Sequence, residues 1–285
     1  MIHVALSAFE AQADAYYAQE LGLFKAAGLN IDIEQLQGGE AIVAGMASGA
    51  VQIGAGTPVP LANAHLHGID VVLVAPGTMN DETLAPVISG MIVAANSPLQ
   101  TAADFNGKTV AVNTLHSVDQ IATEAWADKN GGDSRTIKFV ELPNLSMPDA
   151  VAQGRVDAAI VADPGYSVGI ASGKVRRFAS VNAAIAKRFM ITVWFASRSW
   201  ADANPDTIRK FGAALNQAAT WAVKNPAAAS AVLHKYLRLN TTLAHERHAA
   251  TLDPAMLQPL IDAAARYKVL AQPLDVRDII WRAPQ

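Results

Sequence analysis

Gly49-Ala-Val-Gln-Ile-Gly-Ala-Gly-Thr-Pro58 is the stretch whose reading decides the fold. Gly49 suits the left-handed position that closes a helix. Val51 to Ile53 is a short apolar run of the kind a buried strand takes. Gly54 and Gly56 let the backbone turn tightly or approach a ligand. Thr57 suits a helix cap and Pro58 the first helical position. The sequence therefore reads as helix end, strand, turn and helix start. Such a start aims backbone N–H groups past the carboxyl end of a strand, a place suited to an anion or polar ligand. An ordinary strand-to-helix turn would carry the same residues.

The stretch has an echo. Gly154-Arg-Val-Asp-Ala-Ala-Ile-Val-Ala-Asp-Pro164 repeats its plan, with the glycines 105 residues apart and the prolines 106. Reading outward from the first copy, residues 2–6 alternate as a strand. Residues 14–23 read as a helix carrying Tyr17, Leu21 and Phe24 on one face. A strand over 31–36 and a helix over 40–48 lead into the stretch. A helix over 61–67 and a buried strand over 71–74 follow it. Around the second copy lie a strand over 109–113, a helix from Ser117, a strand over 137–142 and a helix over 148–153. Ser117-Val-Asp-Gln120 has the form of a capping box. Val4 to Val51 spans 47 positions and Val110 to Val156 spans 46. Two units of strand–helix–strand–helix–strand share one order and nearly one spacing, which predicts parallel sheets with flanking helices.

The expected organisation is two lobes. Residues 1–88 plus 195–285 form the first and residues 89–194 the second, with a ligand cleft between them. A link over 86–98 leads out and a strand-like run over 189–195 leads back, so two crossings make a hinge. Asn204-Pro205 and Asn225-Pro226 each read as a cap with proline at the first helical position. Further helices are expected over 227–238, 242–251, 254–267 and 276–281.

Composition narrows the function. Hydrophobic residues make up 51% and charged residues 16%, enough for a large core and too apolar for disorder. The 22 Lys and Arg against 25 Asp and Glu give a net charge of −3 without a basic cluster, which argues against nucleic-acid binding. Cysteine is absent, which removes disulfides, thiol catalysis and thiolate metal sites. The uncharged stretches 41–64 and 85–103 are broken by proline, glycine and amides, so neither reads as a membrane span. The start lacks the charged-then-apolar pattern of a leader, as a mature exported chain or a cytoplasmic one would.

Several motifs resemble the periplasmic substrate-binding proteins of ABC importers, in the branch that takes up nitrate, sulfonates, taurine and thiamine-precursor pyrimidines. They are Tyr16-Tyr-Ala-Gln-Glu-Leu-Gly-Leu-Phe24 with Gly28-Leu29, then Gly38-Gly39, Met46 to Gly54, and Ser97-Pro98. Asp104-Phe-Asn-Gly-Lys-Thr-Val-Ala-Val112, Gly154-Arg-Val-Asp-Ala158, Asn204-Pro205 and residues 219–226 complete them. The resemblance covers most of residues 1–230. Gln52 stands where the family usually has an acid. The resemblance implies a bilobed type II periplasmic binding protein fold and capture of a small organic solute. The solute would be a sulfonate, a carboxylate or an aromatic acid, delivered to a membrane permease. It implies a periplasmic monomer with no cofactor, no nucleic-acid partner and no enzymatic activity. A cytoplasmic enzyme of the related pyrimidine-synthesis fold and a ligand-sensing domain are the alternatives. The first is expected to carry a histidine- and cysteine-rich segment.

Ligand sites of that family lie on the loops after the strands. Here those loops carry Phe9, Glu10, Gly38, Gly39, Gly56, Thr57, Pro58, Asn113, Thr114, His116, Ser117, Asp163 and Pro164, with Thr192 and Trp194 on the return crossing. Phe9 and Trp194 suit stacking on a planar ligand, and Trp194 equally suits a core. Glu10 suits an amine or open solvent. Asp163 suits a ligand or a cap on its own turn. Two facing helix starts suit a sulfonate or carboxylate, but no arginine lies in these loops to clamp an anion. That leaves room for an aromatic or zwitterionic ligand. His245-Glu-Arg-His248 misses the metalloprotease spacing by one residue and reads as exposed helix. His65 and His67 diverge on a helix. No metal site is expected.

Overall fold

A computed structural model describes residues 1–7, 10–36, 38–83, 89–238 and 247–284. In chain order it opens with β1 (Ile2–Leu6), α1 (Asp14–Glu20), α2 (Leu23–Ala26), β2 (Ile31–Gln35), α3 (Gly39–Ala47), β3 (Ile53–Gly56), α4 (Pro58–Leu66), β4 (Val71–Pro76) and β5 (Met79–Asp81). There follow β6 (Ser89–Ala94), β7 (Thr109–Val112), α5 (Val118–Lys129), β8 (Lys138–Glu141), α6 (Met147–Ala152), β9 (Ala158–Ala162), α7 (Gly165–Ala171), β10 (Val175–Ala179) and β11 (Arg188–Met190). The chain ends with β12 (Val193–Ser197), α8 (Arg198–Ala203), α9 (Pro205–Lys224), α10 (Pro226–Leu237) and α11 (Pro254–Arg266).

Two compact units result. One comprises residues 1–80, 189–265 and 270–285, the other 81–188 and 266–269. The chain passes between them at Asn80–Asp81, Arg188–Phe189, Ala265–Arg266 and Val269–Leu270, and β5 and β11, which span the first two points, pair with each other.

Each unit has a five-stranded sheet of the same design. The first runs β2-β1-β3-β12-β4 and the second β8-β7-β9-β6-β10. In both, the first three strands are parallel. The fourth, β12 or β6, is antiparallel to both neighbours and is supplied by the chain returning from the other unit.

The repeat seen in the sequence has a hydrogen-bond reason. Gln52 N–H donates to the His3 carbonyl at 2.9 Å, and its Oε1 accepts from His3 N–H at 2.8 Å. Asp157 N–H donates to the Thr109 carbonyl at 2.9 Å, and its Oδ2 accepts from Thr109 N–H at 2.8 Å. Gly49 and Gly154, at φ 78° and 69°, both take the left-handed conformation that turns the chain into this contact. An amide and a carboxylate thus do the same work, locking the start of a central strand to the segment after a helix. Replacing either Gln52 or Asp157 by alanine is expected to cost about 1–2 kcal/mol, since each leaves a strand N–H without its partner. Chemical unfolding of the two variants checks this; a loss at one position only would break the equivalence.

The cores follow from strand alternation. In the second unit Val110, Val112, Met91, Val93 and Ile160 pack on one side with Phe105 and Trp126, while Ala111, Ile92, Ala159 and Val161 meet Met147, Val151 and Tyr166 on the other. Phe105, Trp126 and Phe178 form an edge-to-face trio with centroids 5.0–5.8 Å apart. In the first unit the amphipathic α9 lays Phe211, Ala214, Leu215 and Ala218 against Tyr17, Phe24 and Trp194.

Several expectations from the sequence are corrected. The strand expected over 51–53 runs over Ile53–Gly56, so Gly54 and Gly56 lie in a strand and not in a turn. Leu21 is exposed, because Gly22 at φ 66° ends α1 and restarts the chain as α2. The run 189–195 is broken at Ile191–Thr192. Asn204 and Asn225 make no side-chain cap on the helices that follow. Each donates Nδ2 backward, to the Trp200 carbonyl at 2.8 Å and the Trp221 carbonyl at 2.9 Å, closing the preceding helix. Of the helix expected over 242–251, residues 242–246 lie outside the described residues and 247–251 are not helical. Among the described residues, no helix is long and apolar enough to cross a membrane.

Candidate functional site

The parallel strands of each unit end in loops that lead into helices, and the candidate residues sit there. In the first unit the loop after β1 is fixed at its base. Gln12 is buried, and its Oε1 accepts from Ser7 N–H at 2.7 Å. Ala13 N–H donates to the Glu10 carbonyl at 2.8 Å, so Glu10 stands at the start of a helical turn, half-buried. Phe9 lies outside the described residues. After β2, Gly38 takes φ 83° and ψ 157°, a conformation open to glycine, and begins α3. Gly39 is its first helical residue, and a Cβ there would lie 3.3 Å from Pro60.

After β3, Thr57 takes the extended conformation of a helix cap, yet its hydroxyl makes no capping bond. Pro58 follows, buried at the first helical position. Of the four amides a helix start leaves unbonded, Pro58 and Pro60 have none. Thr57 and Val59 therefore remain as the N–H groups of this start, two of the usual four. Gly56 ends β3 beside Phe195, with room for a Cβ at 3.4 Å.

In the second unit the loop after β7 carries Asn113, Thr114, His116 and Ser117. Ser117 caps α5 by accepting from Gln120 N–H at 3.5 Å. The reciprocal bond is shifted by one residue: Gln120 Oε1 accepts from His116 N–H at 2.8 Å, with His116 held at φ 60°. Leu115 N–H donates to Glu141 Oε1 at 2.7 Å. After β9, Asp163 Oδ1 accepts from Ser167 N–H at 2.8 Å and so caps its own turn ahead of α7. A cis peptide joins Asp163 to Pro164.

Glu141 and Asn144 are residues the sequence reading does not single out. Asn144 ties two loops together, donating Nδ2 to the Ala162 carbonyl at 2.8 Å and accepting Ala162 N–H at 3.1 Å. The signal for Glu141 and Asn144 is their place at and just beyond the carboxyl end of β8, the edge strand next to β7.

Two candidates are internal to the first unit. Trp194 is 1% exposed, edge-on to Phe211 at 5.2 Å, and donates Nε1 to Asp14 Oδ2 at 3.2 Å. It is a core residue and presents no open face for stacking. Thr192 is also buried, bonded to Thr78 and to the Ala11 carbonyl. His248 is not an exposed helical residue. Its ring is buried with Nδ1 3.4 Å from Asp14 Oδ2; His245 lies outside the described residues. Burial pushes the Asp14 carboxyl up to about 7, against the opposing bonds from Trp194 and Ala15, and pushes His248 down to about 4. Among the described residues no group of three His, Asp or Glu side chains converges as metal ligands.

The loops therefore offer backbone amides, hydroxyls and glycine-lined approach, and no lysine or arginine. Their ionisable groups are Glu10, Glu141, Asp163 and His116. Both units are built on one α/β plan. Residues 11–229 match the family model described as NMT1/THI5 like, and the chain belongs to that family.

It is 27% identical over 224 residues to the taurine-binding periplasmic protein of Escherichia coli (strain K12), a match covering 76% of this chain and 63% of that protein. It is 25% identical over 252 residues to the putative aliphatic sulfonates-binding protein of the same organism, covering 83% and 75%. The crystal structure of the periplasmic aliphatic sulphonate binding protein SsuA from Escherichia coli matches with a TM-score of 0.81 at 20% identity, over 100% of this chain and 92% of that one. The fold is thus that of the periplasmic binding proteins. It also serves catalysis: the desulfurization enzyme DSZB matches with a TM-score of 0.68 at 16% identity, over 98% and 96%.

Proposed function

We propose that the protein is the solute-binding component of an ABC import system and that its solute is a small amino-sulfonate of the taurine type. On this reading the two units are the lobes of a hinged receptor. The loops of both contribute contacts: Glu10, Gly38, Gly39, Gly56, Thr57 and Pro58 from one, Asn113, Thr114, His116, Ser117, Asp163 and Pro164 from the other. Phe9 belongs to the same set. The protein works in the periplasm, as a monomer, and hands its solute to a membrane permease.

The observation that carries the reading is the chemistry of the loops. A sulfonate is met by neutral donors, the amides at the starts of α3, α4 and α5 and the hydroxyls of Thr57 and Ser117. With no basic side chain in these loops and with Glu10 and Glu141 near them, a solute that brings its own ammonium group is favoured over a bare anion. The sequence relatives named for taurine and aliphatic sulfonates support the class.

A thermal-shift screen over taurine, ethanesulfonate, carboxylates, aromatic acids and pyrimidines tests it. A solute at about 100 times its Kd adds roughly 2.7 kcal/mol to stability. Taurine is expected to raise Tm most, and ethanesulfonate, which lacks the amine, less. A larger shift with ethanesulfonate would reject the part assigned to Glu10 and Glu141, and no shift with any sulfonate would reject the class.

A further inference from the structure

Three segments of the first unit are hydrogen-bonded at one point: the loop after β1, the segment leading into β5, and the break between β11 and β12. We propose that the buried Thr78–Thr192 hydroxyl pair is a positioning node that sets solute affinity by fixing residues 10–13 to the strands on which the chain passes between its units. The proposal rests on the reading of the protein as a solute binder and names the residues that tune that binding from outside the contact set.

The bonds at the node close without a remainder. Thr78 N–H donates to Thr192 Oγ1 at 2.8 Å, and the two hydroxyl oxygens lie 2.9 Å apart. Thr192 Oγ1 lies 3.1 Å from the Ala11 carbonyl, and Thr78 Oγ1 lies 3.4 Å from it. A hydroxyl has one proton to give and two lone pairs to accept with. The arrangement that uses each group once has Thr192 O–H donating to Ala11. Thr78 N–H and Thr78 O–H then both donate to Thr192. Both threonines are buried, at 5% and 4% exposure, so no water stands in for a lost partner.

The neighbouring residues are shaped to this node. A Cβ on Gly77 would lie 2.4 Å from Thr192 Oγ1 and 2.7 Å from the Thr192 carbonyl oxygen, so glycine is required for the approach. Ile191 N–H and Thr192 N–H both donate to the Thr78 carbonyl, at 2.9 and 3.2 Å, and this shared acceptor is what breaks the strand expected over 189–195. On its other side the same segment is held by Ala249 N–H to the Gly77 carbonyl at 2.9 Å and Met79 N–H to the Arg247 carbonyl at 2.7 Å. Ala11 is flanked by Glu10, a proposed contact, and Gln12, which anchors Ser7. Thr78 is two residues from the first passage and Thr192 three from the second. A shift in either passage strand is therefore transmitted to the backbone beside Glu10 through two hydroxyls.

Three variants test this: Thr192→Val, which removes the shared acceptor and the donor to Ala11; Thr192→Ser, which keeps the hydroxyl; and Thr78→Val, which removes one donor only. Amide hydrogen exchange of the ligand-free protein is read together with the Kd for taurine. Thr192→Val is expected to speed exchange by about tenfold or more in residues 10–13 and 78–81 together, with the β7–β8 ladder of the second unit unchanged. It is expected to raise the Kd for taurine by about tenfold, with Thr192→Ser staying within about threefold of wild type on both measures. Thr78→Val should fall between them, and it carries the test if Thr192→Val does not fold. Faster exchange spread over the whole first unit would overturn the node, as would a Thr192→Ser variant as weak as Thr192→Val. An unchanged Kd in Thr192→Val would overturn its part in affinity. If the wild-type protein binds no sulfonate, the functional reading fails and the exchange pattern alone decides whether the node exists.

Discussion

Gly54→Ala is expected to destabilise the protein by roughly 3 kcal/mol or more, a fall in Tm on the order of 10 °C. The added Cβ would lie 2.5 Å from Ile42 Cγ2 on α3 and 2.7 Å from Phe195 Cζ on β12. Both neighbours are buried at 0% exposure. Gly54 pairs with Ala5 on one side and with Phe195 on the other, so the strand cannot move aside. Close-packed interiors transmit such a clash to every element around it. Gly56→Ala is the control: its Cβ would meet Phe195 Cε1 at 3.4 Å, an ordinary contact, and the change is expected to stay within about 1 kcal/mol. Equilibrium unfolding of both variants decides the matter. Equal losses would mean that Gly54 is needed for its backbone and not for the space it leaves.

That glycine marks how far the sequence could be read. Its presence beside a buried strand was plain, and the turn assigned to it followed from local chemistry. Its pairing with Ala5 and Phe195 puts it inside the strand, and the close approach of Ile42 and Phe195, one 12 residues before it and the other 141 residues after it, requires glycine there. The same limit explains the asparagines. Asn204-Pro205 marked a helix boundary correctly, but which helix the side chain serves depends on the reach back to Trp200. The repeat was legible because its cause is local and occurs twice, in Gln52 and Asp157. Trp194 was ambiguous because a tryptophan on a strand suits either a core or a ligand. Its bond to Asp14, 180 residues earlier, is what places it in the core. His248 reads as exposed from the sequence for the same reason: a His-x-x-His spacing says nothing of a buried carboxyl on a distant helix.

The second large effect is a reversal in pH dependence between two variants of that buried pair. Asp14 keeps its proton in the folded state up to about pH 7, against an ordinary value of 3.8, because burial disfavours the carboxylate. Above pH 3.8 the unfolded chain releases that proton while the fold holds it. The stability tied to it is present at low pH and is lost as pH rises from about 4 to 7, in total about 4 kcal/mol. His248 is shifted the other way, from 6.5 to about 4. Below pH 6.5 the unfolded chain takes up a proton that the fold refuses, so stability is lost as pH falls toward 4, in total about 3 kcal/mol.

The two slopes oppose each other over nearly one window, so the pair's own contribution to stability is almost flat between pH 4 and 6.5. Relative to the wild-type protein, Asp14→Asn is expected to gain stability as pH rises from 4 to 7, because the falling Asp14 slope is gone. Relative to the wild-type protein, His248→Asn is expected to lose stability as pH rises from 4 to 6.5, because the rising His248 slope is gone. Asp119 and Glu124, raised by burial to about 6 and about 7, are common to all three proteins and cancel in the difference. Chemical unfolding at four pH values between 4 and 7.5 measures the slopes. Parallel curves for the two variants would show that the pair does not titrate as a buried, opposed couple.

Isothermal titration calorimetry with taurine at pH 7, with the free solute assayed afterwards, tests the central proposal most directly. The expected result is saturable binding of one taurine per chain, weaker for ethanesulfonate, with all the solute recovered unchanged. Absence of saturable heat with both sulfonates, or consumption of the solute, would contradict it.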